Sequence, residues 1–318
     1  MNIAVITSGG DSPGMNPCVA DLTLEAGARG HKLYGFVGGY SGIRDNLIKP
    51  LEPCDVRGWH KLGGSKLRSG RLPELENRDM RLRIISVLKS DSIDALIVLG
   101  GDGSLQGAKL LSEVEPSINF IGIPCSIDND ITGSDYSLGH DTALNKLVTY
   151  IDDITDTALS MNPRVFVIET LGGPYSCFAQ SAVKMGICDL VITESHPLSV
   201  DEICKRIITL TAAEKMGYAL ISVSEAYPNL SDIIQEVQSR VKMSVKYNNI
   251  AYQQRGGAPT ALERLHAAGF ARLALDAAEK YIEHKYVIYC NGQYGYGDLS
   301  RIEHLSKITH RVISTTSS

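Results

Sequence analysis

The sequence predicts an α/β fold with two doubly wound lobes built on mostly parallel sheets. Three observations favour it. Short apolar runs of strand length alternate with stretches of helical periodicity along the chain. Clusters of glycine and polar residues follow directly after several of these runs, as they do at the carboxyl ends of parallel strands. The length of 318 residues is enough for two lobes that each bury a core.

The composition argues against several classes of protein. A formal net charge of −5 gives no bulk basic surface, so we expect no binding to nucleic acid or to anionic membranes. We find no run of 18 apolar residues and no basic amino-terminal segment, so we expect neither a membrane span nor a secretory signal. The 7 cysteines are scattered without a CxxC pair, which favours reduced thiols in a cytoplasmic protein over disulfides or a zinc site.

The amino-terminal part of the chain predicts four strands. They lie at residues 3–6, 33–37, 95–99 and 119–123. A helix over 77–88 precedes the third of these strands, and a basic loop with several glycines occupies residues 62–74. Glycine-rich or polar turns follow the first, third and fourth strands, at residues 7–14, 100–104 and 124–130. Further clusters of this kind follow later predicted strands, at residues 171–173 and 224–225. Because parallel strands end at one edge of their sheet, we expect all five clusters to converge on one cleft.

The later part of the chain continues the alternation. An apolar face over 144–154 predicts a long helix, and the spacing of Ser199 and Glu202 predicts a capping box at the start of another. A third helix is predicted over 261–281. Strands are predicted at 165–168, 190–192, 218–223 and 286–289, the last as an edge strand. The polar tail at 314–318 is expected to be frayed.

Two of the turns carry residues suited to phosphate chemistry. Glycines at 100–104 would let a phosphate approach backbone N–H groups, and Asp102 would lie where a phosphate-bound Mg²⁺ needs an oxygen ligand. Asp128 and Asp130 share one side of an extended segment, where one carboxylate could serve as a general base. Two alternatives remain open: residues 100–104 could be a simple chain reversal, and residues 124–130 could be an Asx-rich turn.

Arginines supply candidate phosphate clamps. Arg71 lies in the basic loop and Arg164 begins a predicted strand, and each guanidinium offers a planar fork to phosphate oxygens. Each could equally be a solvated surface charge. His140, His196 and His266 show no spacing typical of a metal site or a catalytic triad, so we interpret them as structural or surface residues.

Four motifs together resemble the phosphofructokinase family. They lie at residues 7–16, 100–104, 127–130 and 254–257, in the family's order and at close to its intervals. The resemblance covers nearly the whole chain and implies a two-lobed phosphofructokinase-like fold. It implies a nucleotide-binding lobe of residues 1–137 with part of 250–300, and a sugar-phosphate-binding lobe of residues 138–249 with the remainder of the carboxyl-terminal region.

The resemblance implies an ATP-dependent 6-phosphofructokinase, which phosphorylates fructose 6-phosphate to fructose 1,6-bisphosphate in glycolysis with ATP and Mg²⁺. Asp102 matches the Mg²⁺ position, and Asp128 matches the base that activates the sugar hydroxyl. The matched catalytic positions are Asp128, Ser126, Arg71 and Gly10. The matched nucleotide-binding positions are Gly10, Tyr40, Arg71, Leu72, Gly101, Asp102, Gly103, Ser104 and Gly107. The matched sugar-phosphate positions are Ser126, Asp128, Asp130, Arg164, Leu171, Gly172, Glu225, Lys246, Tyr252 and Arg255.

Two positions bear on the phosphate donor. Pyrophosphate-using relatives carry Asp where this chain has Gly103 and Lys where it has Cys125, so the resemblance implies ATP as the donor. In bacterial relatives the equivalent of Arg164 reaches a neighbouring subunit's site. The resemblance therefore implies self-association, as a homodimer or homotetramer.

Other positions depart from the family pattern. Gly173 stands where the family has an arginine that stabilises the transferring phosphoryl group, Tyr252 replaces a sugar-binding histidine, and Lys246 replaces an arginine. These departures keep a second function open, a weak or inactive homologue that binds nucleotide or sugar phosphate as a regulatory subunit. If another cation fills the space at Gly173, we expect it to be Arg68. An NAD-dependent oxidoreductase is disfavoured because the first turn lacks GxGxxG.

Overall fold

Eleven strands are found in a computed structural model, which describes residues 1–161, 163–213 and 217–302. The strands are β1 (Asn2–Thr7), β2 (Lys32–Phe36), β3 (Ile48–Leu51), β4 (Ala95–Gly100), β5 (Asn119–Pro124), β6 (Arg164–Thr170), β7 (Leu190–Ile192), β8 (Tyr218–Ser224), β9 (Ser244–Asn249), β10 (Lys285–Cys290) and β11 (Gln293–Asp298). The predicted frayed tail at 314–318 lies outside the described residues.

Nine α-helices lie between these strands in the described ranges. They are α1 (Met15–Ala28), α2 (Tyr40–Arg44), α3 (Arg78–Ser90), α4 (Asp102–Ser112), α5 (His140–Ser160), α6 (Cys177–Lys184), α7 (Val200–Ala213), α8 (Leu230–Val241) and α9 (Ala261–Glu279). Capping side chains set several of the starts. Asn77 accepts the Asp79 N–H at 2.9 Å before α3, and Thr260 accepts the Glu263 N–H at 3.2 Å before α9. None of the described helices is long and apolar enough to cross a membrane.

The chain divides into two units, one of Met1–Thr142 with the chain from Arg255 onward, the other of Ala143–Gln254. The first unit holds a seven-stranded sheet with the order β11-β10-β5-β4-β1-β2-β3. Its five central strands are parallel, whereas β3 and β11 each pair antiparallel with a neighbour. The chain moves outward from β1 to β2 and later from β4 to β5. The strand order therefore reverses between β1 and β4, where ligands bind in open α/β sheets.

The core of the first unit lies on both faces of this sheet. All six residues of β4 are buried, which is why its sequence is a continuous apolar run. One face packs against α1 and α9, and the other packs against α3 and α4. Each fully buried Leu or Ile stabilises the fold by about 1.5–3 kcal/mol through burial of apolar area. This packing fixes the carboxyl ends of the central strands.

The second unit holds a parallel four-stranded sheet with the order β7-β8-β6-β9. Its apolar core includes Val167 of β6, Ile221 of β8 and Ile207 of α7. The predicted capping box at the start of α7 is confirmed. Ser199 Oγ accepts the Glu202 N–H at 3.3 Å, and the Glu202 carboxylate accepts the Ser199 N–H at 2.9 Å.

The predicted α/β fold with mostly parallel sheets is confirmed, and one strand assignment was wrong. The run at 286–289 is not an edge strand, because β10 pairs with β5 on one side and with β11 on the other. The β10–β11 hairpin turns at Asn291 and Gly292, which both have positive φ (50° and 76°). Asn-Gly is typical of such two-residue turns, since both central positions need that conformation.

Candidate active site

A cleft of about 570 Å³ opens at the carboxyl ends of β1, β4 and β5 in the first unit. Its walls are three of the five clusters that were predicted to converge, at residues 7–14, 100–104 and 124–130, together with the end of the basic loop and one arginine from later in the chain. The other two clusters follow β6 and β8, which belong to a different sheet, so the prediction of one shared sheet edge was wrong for them. Residues that were predicted from sequence supply much of its lining: Gly10, Tyr40, Arg71, Leu72, Gly101, Asp102, Gly103, Ser104, Gly107, Ser126, Asp128, Asp130 and Arg255. The sheet therefore brings together side chains up to 245 residues apart in the sequence.

Backbone hydrogen bonds hold the first turn against its neighbours. The Ser8 N–H donates to the Leu99 carbonyl at 2.8 Å, and the Gly9 N–H donates to the Gly70 carbonyl at 3.1 Å. Because Gly70 precedes Arg71, the second bond ties the basic loop to the turn after β1. Arg71 itself is exposed and lines the cleft.

The second turn leads directly into α4, whose first residue is Asp102. Gly101, the residue before the helix, offers no capping side chain, and the first-turn residues Asp102, Gly103 and Ser104 line the cleft. Asp102 Oδ1 accepts the Gly103 N–H at 2.6 Å. A helix start with glycines around it is a suitable site for a phosphate, because the helix dipole favours an anion and the glycines let the anion approach the backbone.

One wall of the cleft beyond this turn is apolar and closely packed. Tyr40 is buried, and its hydroxyl donates to the Ser104 carbonyl at 2.7 Å. Burial raises the pKa of Tyr40, so its hydroxyl stays a neutral donor. A Cβ on Gly107 would lie 2.7 Å from Leu75 and 3.0 Å from the Tyr40 ring, so a side chain there would crowd the residues that form this wall. Together with Leu72, these side chains form a surface suited to a flat heterocycle.

The third turn carries the carboxylates. The Cys125 N–H donates to the Gly100 carbonyl at 2.9 Å, so the turn after β5 begins beside the turn after β4. Ser126 Oγ donates to Asp130 Oδ1 at 2.9 Å. Burial raises the pKa of Asp130, and the nearby charge of Asp102 raises it further. Asp128 lines the same cleft, which places it near both glycine turns.

Arg255 brings a second cation to the cleft. Its guanidinium lies against the first turn, where Nη1 is 2.6 Å from the place that a Cβ on Gly10 would occupy. Nη1 also donates to the Asp11 carbonyl at 3.4 Å. Gly10 does not have a positive φ, so a side chain there would disturb Arg255 and not the backbone conformation. Arg68, in contrast, is exposed and does not line the cleft.

The remaining predicted residues belong to the second unit, at several places on its sheet. Leu171 and Gly172 follow β6, and Glu225 follows β8, so all three lie at the carboxyl edge. The Leu171 N–H donates to Gln254 Oε1 at 2.8 Å, and the Glu225 N–H donates to the Thr170 carbonyl at 3.0 Å.

Of three further residues of this unit, two do not share that edge. Arg164 begins β6 and therefore lies at its amino end, and Lys246 lies within the edge strand β9. Tyr252 follows the carboxyl end of β9 and is 84% exposed. The expectation that polar clusters gather after strands therefore does not cover Arg164 and Lys246.

The described side chains allow a test of whether the site suits Mg²⁺. Across residues 1–161, 163–213 and 217–302, no group of three or more His, Cys, Asp or Glu side chains forms a metal site. Mg²⁺ in phosphate-transfer sites uses one or two carboxylates and completes its shell with phosphate oxygens and water. A single carboxylate, Asp102, at a helix start fits that kind of site.

Two residues beside the third turn were not predicted to matter for it. Ser137 exchanges two hydrogen bonds with the backbone of Ser126, and His140 bonds the carbonyl of Ile127. From the sequence, His140 is interpreted as a structural or surface residue, and no role is predicted for Ser137. Both contacts join residues 11 to 13 positions apart in an irregular segment, so no periodicity could have revealed them.

Comparisons with known proteins agree on one family. Residues 2–278 match the family model described as phosphofructokinase. The chain is 36% identical over 274 residues to an ATP-dependent 6-phosphofructokinase of Haemophilus influenzae, covering 86% of this chain and 84% of that protein. It is 34% identical over 288 residues to one of Hamiltonella defensa, covering 91% and 87%.

The fold is also similar to solved structures. The crystal structure of Pichia pastoris phosphofructokinase in the T-state superposes with a TM-score of 0.88 at 28% identity. That match covers 99% of this chain, which spans 36% of the Pichia chain.

Proposed function

This chain belongs to the phosphofructokinase family, and we propose that it is an ATP-dependent 6-phosphofructokinase acting in glycolysis. One observation supports the proposal most strongly. A single cleft contains a helix start that suits a phosphate, the carboxylate of Asp102, and the carboxylate of Asp128. Transfer of a phosphoryl group to a hydroxyl requires a site for the phosphate donor, a metal ligand and a general base.

We assign ATP to the side of the cleft formed by α4 and the wall around Tyr40. The phosphates of ATP lie at Gly101, Asp102, Gly103 and Ser104, and its adenine ring packs on Leu72, Tyr40 and Gly107. Asp102 is the residue that would hold Mg²⁺. When bound, Mg²⁺ supplies positive charge that stabilises the negative charge of the phosphates during transfer. Gly103 and Cys125 leave this part of the cleft without the extra charges of pyrophosphate-using relatives.

We assign the acid–base step to Asp128. Its carboxylate takes the proton from the 1-hydroxyl of fructose 6-phosphate as the hydroxyl oxygen attacks the terminal phosphorus of ATP. The bond from that phosphorus to the bridging oxygen breaks, and ADP leaves. Arg71 offsets negative charge on the transferring group, while Ser126 and Gly10 shape the site around it.

We assign the sugar phosphate to the residues that match the family in sequence: Ser126, Asp128, Asp130, Arg164, Leu171, Gly172, Glu225, Lys246, Tyr252 and Arg255. Lys246 is a point charge where the family has a guanidinium fork, so we expect weaker sugar-phosphate binding than an arginine would give. The position of Arg164 at the amino end of β6 supports a role in the site of a neighbouring subunit. We accordingly propose a homodimer or homotetramer and, for an enzyme of glycolysis, a cytoplasmic location.

The test compares the purified wild-type protein with Asp128→Asn in an aldolase-coupled assay of fructose 1,6-bisphosphate. Asn keeps the size of the side chain but cannot accept the proton, so we expect kcat to fall about 1,000-fold, within the range of general-base catalysis. Asp153→Asn, the same change at an exposed position of α5, is the matched control and should retain wild-type kcat. Absence of ATP-dependent turnover by the wild type, or equal rates for wild type and Asp128→Asn, contradicts the proposal. Nucleotide binding by calorimetry without turnover would instead identify a binding subunit.

A further inference from the structure

A short segment after the third turn holds the backbone of the loop that carries Ser126 and Asp128. Ser137 is 1% exposed, and its hydroxyl makes two bonds to a single residue. It accepts the Ser126 N–H at 2.7 Å and donates to the Ser126 carbonyl at 2.8 Å. One buried hydroxyl therefore satisfies both backbone groups of Ser126, two positions before the proposed base.

The next peptide groups of the loop are held from the same segment. His140 Nδ1 donates to the Ile127 carbonyl at 2.7 Å, and Asn129 Nδ2 donates to the Asp135 carbonyl at 3.0 Å. Burial lowers the pKa of His140, so the ring is neutral and carries its proton on the nitrogen that faces the carbonyl. The residues on both sides of Asp128 are thus fixed by bonds to residues 135–140.

One residue of the loop has a backbone conformation that few residues adopt. Asn129, directly after Asp128, has a φ of 52°, in the left-handed region. Asn tolerates this region better than most residues with a Cβ, and the bond from Nδ2 to the Asp135 carbonyl holds it there. Neither Ser137 nor His140 is among the residues that line the cleft. We therefore expect their effect on the reaction to pass through the backbone of the loop.

We infer that Ser137 is a positioning residue for phosphoryl transfer, which acts with His140 to hold the Ser126–Asp128 backbone so that the Asp128 carboxylate meets the attacking hydroxyl. This inference rests on the proposed function. It also explains why a buried serine contacts the loop through both of its hydrogen-bonding roles. A displacement of about 1 Å at a reacting group can lower the rate about 100-fold, whereas ground-state binding of ATP depends on residues outside this loop.

The primary test measures kcat and both KM values for Ser137→Ala, which removes the hydroxyl, and for Ser137→Thr, which keeps it. We expect Ser137→Ala to lower kcat about 10- to 100-fold while the KM for ATP changes less than about threefold, because ATP is assigned to residues outside this loop. Ser137→Thr should restore kcat to within about threefold of wild type. Thr23→Val is the control, because it removes another buried hydroxyl, bonded at 2.7 Å to the Val19 carbonyl of α1, and should leave kcat unchanged.

A second pair of variants decides the matter if Ser137→Ala does not fold. His140→Phe keeps a ring without the donor, and His140→Asn keeps a donor at the position of Nδ1, so kcat should fall in the first and recover in the second. Equal kcat in wild type and Ser137→Ala, or in both His140 variants, overturns the inference while wild-type turnover upholds the proposed function. An inactive wild type overturns both.

Discussion

The contact between Gly10 and Arg255 predicts a large effect of the smallest possible side chain. In Gly10→Ala the new Cβ would lie 2.6 Å from Arg255 Nη1 and 3.4 Å from Cζ. Ordinary contacts between a carbon and a guanidinium nitrogen begin at about 3.5 Å, so the Arg255 guanidinium must move away by about 1 Å. The backbone itself accepts alanine, because φ at Gly10 is not positive. The substitution therefore moves one cation of the cleft, the Arg255 guanidinium, by about 1 Å.

A displacement of about 1 Å in a group that positions a substrate costs about 100-fold in rate, or about 2.7 kcal/mol of transition-state stabilisation. We expect Gly10→Ala to lower kcat/KM for fructose 6-phosphate by about that factor. Its melting temperature should stay close to that of the wild type, because the atom that moves is the end of a flexible side chain. The assay is steady-state kinetics with the aldolase couple, with differential scanning calorimetry on the same samples.

Two comparisons isolate the cause. Gly295 lies in β11, away from the cleft, and a Cβ there would make an ordinary contact of 3.7 Å with Ile288 of β10. Gly295→Ala should therefore retain wild-type kinetics. In an Arg255→Ala background, Gly10→Ala should cost less than about threefold, because the group that it displaces is gone. Wild-type kcat/KM in Gly10→Ala, or a full 100-fold loss in the Arg255→Ala background, would refute the reasoning.

Two further predictions concern stability. Gly27 lies inside α1, and a Cβ there would meet Pro53 at 3.9 Å, so Gly27→Ala should raise the free energy of unfolding by about 0.5–1 kcal/mol, as urea denaturation can measure. Unchanged or lower stability would contradict this. Glu263 is fully buried, and burial raises its pKa, so between its unfolded and folded pKa values the folded state binds more protons. Wild-type stability should therefore fall relative to Glu263→Gln as the pH rises above about 4.5, and parallel profiles from pH 4 to 7 would contradict this.

The central part of the fold was predictable because its strands are buried on both faces. Continuous apolar runs that end in glycine or polar turns identified β1, β4 and β5, and the parallel arrangement then brought their turns to one edge. The strands β3, β9 and β11 lie at sheet edges and were not predicted, because β3 has only four residues and the other two carry few apolar residues. Because the Asn291–Gly292 hairpin was not recognised, β10 was wrongly predicted as an edge strand.

The site was predictable to a similar degree. Residues of the turns that follow strands, such as Asp102 and Asp128, could be identified from their place after a strand. The contact of Arg255 with Gly10 could not, because it joins residues 245 positions apart through the packing of the whole unit. The bonds of Ser137 and His140 to the third turn depend on the path of an irregular segment, which no periodic pattern encodes.

The most direct test of the proposed activity is ³¹P NMR of the purified protein with ATP, Mg²⁺ and fructose 6-phosphate. We expect the terminal phosphate signal of ATP to decline while ADP and a new sugar-phosphate signal, from phosphate on the 1-oxygen, grow in equal amounts. Release of inorganic phosphate alone, or a spectrum that does not change, would contradict it.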